Sequence, residues 1–240
     1  RAGEAALRRG AVAAVQVAGG QGTRLGFDGP KGAFPALPVS GKSLFAWHAE
    51  KLRALAARCG ARIPWYVMTS PENRAATEAF FRQHGQFGMP PGDVSFFTQG
   101  TVPALDLEGR LLLAEKGALF ESPNGHGGTF AALADTGALA GLKRRGIETI
   151  LYFQVDNVLL DLADSAFLGH HLLAGAEFSC KVVRKTDPFE KVGVVVRRKG
   201  LLEVIEYSDL PREIAGLRDG ATGRLVYDAG SIAIHAISVE

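Results

Sequence analysis

Two cysteines, Cys59 and Cys180, are all that this chain of 240 residues contains. Two thiols cannot build a disulfide framework, and they cannot supply a Cys-based zinc site. Reduced thiols in a cytoplasmic protein are the simple expectation. Long apolar runs are missing too. None approaches the ~20 residues that a membrane-spanning helix needs, so no membrane partner is expected. Nor is there an excess of one charge. Lys and Arg number 27 against 25 Asp and Glu, which leaves no electrostatic case for nucleic acid or a membrane surface. No signal peptide is visible, because "RAGEAALRRG" reads as a polar, Ala-rich helical start. The chain begins at Arg1 and stops in "AIHAISVE", a strand or its edge. The expectation is a single domain over residues 1–240 that lacks flanking N- and C-terminal segments of a longer protein.

What is present is a repeated order of strand, loop and helix. Residues 11–18 are short, apolar and followed by glycines, the pattern of a buried strand. Residues 43–58 carry apolar positions at helical spacing, with Ser43 as N-cap and Gly60 as stop. Further strands are expected over 63–69, 94–98 and 149–155. Helices are expected over 71–83, 128–136, 139–145 and 167–174. Residues 105–115 pattern as a hairpin turning at Glu108-Gly109. From Glu177 the chain becomes β-rich. The fold class is therefore α/β: an open sheet over the first 175 or so residues, extended by an antiparallel or mixed β-rich part. In such sheets ligands bind beyond the carboxyl ends of the strands. Residues 19–26, Gln99-Gly100 and Asp156-Asn157 all lie there.

The first of these, "VAGGQGTRLG", admits several readings. A P-loop would need glycine at Ala36 upstream of "GKS". A dinucleotide fingerprint would need glycine where Leu25 stands. A nucleotide loop with cations inside it fits better. Gly19, Gly20 and Gly22 let successive N–H groups turn toward one anion, Arg24 offers a planar guanidinium, and "GPKGAFP" adds Lys31. The bland alternative is a tight turn with an exposed Arg and Lys. Asp156, at the end of an apolar strand, suits a divalent ion held against phosphates, or else the capping of its own turn with Asn157.

Together, "AGGQGTRLG", "PKG", "VDN", "EKVGVV" and "EYS", in this order from about Val12 to Ile234, resemble the eukaryotic-type UDP-sugar pyrophosphorylases. These include the UDP-N-acetylhexosamine and UDP-glucose enzymes. The resemblance implies a Rossmann-like nucleotidyltransferase core with a mixed sheet and a β-rich sugar-binding extension. It implies a reaction of UTP with a sugar 1-phosphate, giving UDP-sugar and pyrophosphate with Mg²⁺. By motif, Ala18, Gly19 and Gly20 would lie against uridine and phosphates, Arg24 and Lys31 would hold phosphates, and Gln99 and Gly125 would read the uracil. Asp156 would hold Mg²⁺, and Gly193 and Glu206 would contact sugar hydroxyls.

Two sugar-facing positions depart from the N-acetylglucosamine branch. His126 and Ser231 stand where that branch has asparagines, and His126 matches the glucose branch. N-acetylglucosamine 1-phosphate is the expected sugar substrate. Glucose 1-phosphate or a broad range is the alternative within enzymes, and a silent nucleotide-binding module the alternative outside them.

In this reaction the attacking group is a phosphate oxygen, so no Ser/His/Asp or Cys/His apparatus is needed. His126 would act as a hydrogen-bonding wall or as a general base. His48, His84, His170, His171 and His235 have no metal-ligand partners at suitable spacing, and His170-His171 reads as a helix-surface pair. Trp47 and Trp65 read as core aromatics. "RKTDPFEK" reads as a solvated turn from which Lys185 could approach a phosphate.

Overall fold

Six consecutive buried residues, Val12–Val17, form β1 at the middle of the main sheet. A strand flanked on both edges and covered on both faces needs no polar alternation, which is why the stretch is apolar except for the buried Gln16. The computed structural model describes residues 1–162 and 164–240. The strands after β1 are β2 (Trp65–Thr69), β3 (Val94–Thr98), β4 (Thr101–Pro103), β5 (Leu113–Glu115), β6 (Ala118–Leu119) and β7 (Glu121–Pro123). They continue with β8 (Thr149–Gln154), β9 (Phe178–Arg184), β10 (Val194–Arg198), β11 (Leu201–Ile205) and β12 (Ala229–Ser238). The helices are α1 (Ala2–Arg8), α2 (Leu44–Cys59), α3 (Arg74–Gln83), α4 (Gly128–Asp135), α5 (Ala138–Arg144), α6 (Ser165–Leu173) and α7 (Arg212–Ala215).

The main sheet runs β11-β10-β12-β8-β1-β2-β3, with β9 on the other edge of β12. Strands β3, β2, β1 and β8 are parallel, and β12 joins β8 antiparallel. The α/β half and the β-rich half are therefore one mixed sheet. One core lies between the sheet and α1, α2, α3 and α6, around Phe45, Trp65 and Phe81. The other lies under α4 and α5, around Leu133, Leu142 and Tyr152. Helices on both faces bury the central strands. Among the described residues no helix is long and apolar enough to cross a membrane.

Helix α2 begins and ends as its sequence indicates. The Ser43 hydroxyl accepts from Ala46 N at 3.2 Å, and Gly60 closes the helix in the left-handed conformation. Other expectations are corrected. Helix α3 starts at Arg74 and not at residue 71, because Ser70 and Asn73 bond each other's backbone N–H and hold a turn there. The turn at Glu108-Gly109 forms with Leu105 bridged antiparallel to Leu111, and the second arm then turns again at Lys116-Gly117, where β5 pairs β6, before β7 returns to pair β4. His171 is not a surface residue: it is buried, with Nδ1 2.9 Å from the Ser179 hydroxyl, while His170 is exposed. Trp65 is fully buried, whereas Trp47 is half-buried. Lys185 is also buried, and its ammonium donates to Pro188 O at 3.2 Å.

Candidate functional site

The glycine loop leaves β1 and folds back on itself. Gly22 N donates to Gly29 O at 2.8 Å and Lys31 N to Gly20 O at 3.0 Å, so residues 20–22 lie beside residues 29–31. A second anchor comes from the N-cap of α3. Asn73 Nδ2 donates to Ala18 O at 2.8 Å and to Gly20 O at 3.3 Å. The glycines are needed for close approach. A Cβ at Gly22 would stand 2.8 Å from the Phe27 ring, and one at Gly19 would stand 3.0 Å from the Gln99 amide. In "PKG", a Cβ at Gly32 would fall on the buried Phe45 ring. Arg24 occupies the exposed turn Thr23–Leu25, and no hydrogen bond or ion pair joins its guanidinium to another described residue.

Lys31 meets Asp156 across the sheet end, with Nζ 3.1 Å from Oδ2; the side chains are 27% and 49% exposed. The loops after β1 and β8 thus deliver one cation and one carboxylate to the same point. Gln99, buried at the end of β3, flanks Gly19. Gly100 O accepts from Asn124 N at 3.0 Å, which brings the loop of Gly125 alongside. Gly125 has φ +76°, a conformation that a glycine adopts without strain.

The remaining candidates line one cleft of 840 Å³: His126, Gly193, Glu206 and Ser231, with Gln154 and Lys191. Gly193 makes room for the acid, since a Cβ there would stand 3.2 Å from Glu206 Oε1. Ser231 N donates to Gly193 O at 2.8 Å. Just after Ser231, β12 bulges at Ile232 and Ala233, where Ala233 has φ +51°. Non-glycine residues seldom adopt this conformation, and such bulges re-aim side chains beside binding sites. Phe178, His235 and Tyr152 stack along one wall, with centroids 4.7 and 5.2 Å apart.

Burial disfavours the charged form of both histidines in the cleft. Burial lowers the His126 pKa; the carboxylates of Glu206 and Asp156 oppose this, and Lys31 adds to it. Burial, then His126, pushes His235 down to about 4. The Gln154 amide nitrogen lies 3.2 and 3.3 Å from the two ring nitrogens of His126. A second hollow of 770 Å³, between α2 and the chain around Met89, contains none of the candidate residues.

Residues 2–239 match the family model of UTP–glucose-1-phosphate uridylyltransferase. The chain belongs to this uridylyltransferase family. The UDP-N-acetylglucosamine pyrophosphorylase of Saccharomyces cerevisiae is 41% identical over 244 residues, covering 100% of this chain and 51% of the yeast protein. An Arabidopsis thaliana UDP-N-acetylglucosamine diphosphorylase is 40% identical over 246 residues, covering 98% and 49%. The solved uridine diphosphate N-acetylglucosamine pyrophosphorylase of Trypanosoma brucei, in complex with an inhibitor, superimposes with a TM-score of 0.89 at 36% identity, covering 99% of this chain and 49% of that one. A UDP-glucose phosphorylase from the same organism shares the fold at a TM-score of 0.78 and 21% identity, covering 98% of this chain and 49% of that one. The chain spans about half the length of the curated relatives it matches.

The uridylyltransferase family is one of nucleotidyltransferases, and the core seen here is of that kind. Motif reading missed two residues that the structure places at the site. Gln154 is the last residue of β8 and Asp156 lies in the turn that follows, so the two meet at the site because the strand ends there. Asn73 follows Ser70 by three, the spacing of a local Asx-type turn, but its long-range bonds to the glycine loop leave no trace in sequence.

Proposed function

We propose that this chain carries the catalytic site for uridylyl transfer from UTP to a sugar 1-phosphate, with N-acetylglucosamine 1-phosphate as the sugar and glucose 1-phosphate as the alternative. A phosphate oxygen of the sugar 1-phosphate forms a bond to the α-phosphorus of UTP. The bond from that phosphorus to the bridging oxygen breaks, and pyrophosphate leaves with the electron pair. Such a transfer asks the protein for alignment and for charge opposite the leaving group. Ala18, Gly19, Gly20, Gln99 and Gly125 would hold the nucleotide. Arg24 and Lys31 would meet the phosphates, and His126, Gly193, Glu206 and Ser231 would hold the sugar.

The observation that carries this reading is the layout along one sheet end. His126 lines the 840 Å³ cleft and meets the amide of Gln154, two residues before Asp156, which in turn pairs with Lys31. Asp156 fits a Mg²⁺ ligand. It is a half-exposed carboxylate with a second oxygen beyond its bond to Lys31, and Mg²⁺ takes one or two carboxylates plus phosphate oxygens. When bound, Mg²⁺ supplies charge neutralisation for the triphosphate. The free thiols of Cys59 and Cys180 support a cytoplasmic setting.

Pyrophosphate release from UTP, measured in the complete protein across a panel of sugar 1-phosphates, tests this function. The expected result is release that depends on the sugar, with the highest kcat/KM for N-acetylglucosamine 1-phosphate. UTP binding without release for any sugar would leave only a binding module. Highest kcat/KM with glucose 1-phosphate would select the alternative.

A further inference from the structure

The loop that carries Asp156 is anchored from outside its own strand. Three side chains on one side of α2 reach its carbonyl groups. His48 Nε2 donates to Val155 O at 2.9 Å, so that nitrogen carries the ring proton. Trp47 Nε1 donates to Val158 O at 3.0 Å. Lys51 Nζ donates to Val158 O at 2.7 Å and to Leu160 O at 2.6 Å, and it stands 5.2 Å from the centroid of the Trp47 ring. Residues 47, 48 and 51 meet on one face because positions three and four apart are neighbours on a helix.

These contacts have an electrostatic cost. Burial pushes His48 down to about 4 and lowers the Lys51 pKa, with Asp161 opposing the latter. A lysine near a helix surface ordinarily carries its charge out to water. Here the ammonium turns inward and binds two carbonyls.

The same helix also sets the other partner. Its first turn packs the Phe45 ring against Gly32, the residue after Lys31, and Leu44 N donates to Phe34 O at 3.1 Å. One helix therefore holds the turn of Lys31 at its start and the loop of Asp156 further along. Contacts of α2 thus reach both segments that carry the Lys31–Asp156 pair.

We propose that Lys51, with His48 and Trp47, is a positioning residue that fixes the Asp156 carboxylate beside Lys31 and thereby sets how tightly a divalent cation is held with UTP. This rests on the uridylyltransferase reading and on its assignment of the cation to Asp156.

The test is the affinity of the complete protein for UTP, measured by isothermal titration with saturating Mg²⁺ and again without metal. Lys51→Met keeps the stem but removes the charge and its donors. It is expected to weaken the Mg²⁺-dependent affinity by about tenfold or more while metal-free UTP affinity stays within about twofold, and Lys51→Arg is expected to recover most of the loss. Asp156→Asn serves as the reference and is expected to show the same split. If Asp156→Asn weakens metal-dependent binding and Lys51→Met does not, the site reading stands and the positioning role is overturned. If Asp156→Asn changes nothing, the metal assignment is wrong and this proposal falls with it. Equal loss of both affinities in Lys51→Met would mean general disorder of the loop and would also overturn it. Should Lys51→Met fail to fold, Trp47→Phe removes the indole donor alone and carries the same expected split in smaller degree.

Discussion

Arg24→Ala is expected to lower kcat by about 10²-fold or more in the complete protein, with the melting temperature held near that of wild type. The structural half of this expectation follows from the turn Thr23–Leu25. Arg24 is exposed there, Gly26 closes the turn with φ +66°, and no described residue bonds the guanidinium. Its removal leaves no buried group unpaired. The chemical half follows from charge. In the proposed transfer, pyrophosphate would leave with charge developing on its oxygens, and a planar guanidinium can bind two of them at once. Arg24→Lys should recover only part of the rate, since an ammonium offers a point charge without the fork. Single-turnover rates with saturating UTP separate this from weaker binding. A variant that keeps near wild-type kcat would remove Arg24 from the phosphate site and return its turn to an ordinary surface loop.

The parts of the site legible in sequence are those where chemistry is local. "VAGGQGTRLG" spells out its glycines and its cation, and the structure adds the reasons: Phe27 crowds Gly22, and Gln99 crowds Gly19. Ser43 and Gly60 announce both ends of α2 because capping involves only neighbouring residues. The illegible parts depend on contacts far along the chain. Lys51 has the sequence appearance of a solvated helix position, yet it reaches carbonyls more than a hundred residues away. His171 lies beside an ordinary surface histidine, and only the packing of β9 puts Ser179 against it. Ala233 adopts a left-handed conformation with no glycine to mark the bulge. The ribbon from β4 to β7 offers little apolar alternation, so the hairpin that joins Leu105 to Leu111 is readable from its turn while the pairing of β4 with β7 is not. In each case the sequence carries the residue type, and the tertiary fold decides which partner it meets.

Restoring asparagine at both His126 and Ser231 is expected to shift the kcat/KM ratio toward N-acetylglucosamine 1-phosphate over glucose 1-phosphate by about 10- to 100-fold. Both positions line the cleft with Gly193 and Glu206. The acetamido group that separates the two sugars brings one N–H donor and one C=O acceptor. Left unpaired in a closed site, each costs about 1–3 kcal/mol. Burial lowers the His126 pKa, which favours a ring with one donor and one acceptor, and the Gln154 amide already stands against both nitrogens. Ser231 reaches less far than an asparagine, and the bulge beside it fixes where its side chain starts. Two asparagines would add amide groups able to donate and accept at both places.

Single variants give the division between the two positions, because neighbours lining one cleft need not add. His126→Asn alone should also free the Gln154 amide, so Gln154→Ala in each background tests whether that amide substitutes for the missing asparagine. A ratio that stays within about twofold in the double variant would take sugar choice away from these positions and leave it with Gly193, Glu206 and the aromatic wall of Tyr152, His235 and Phe178.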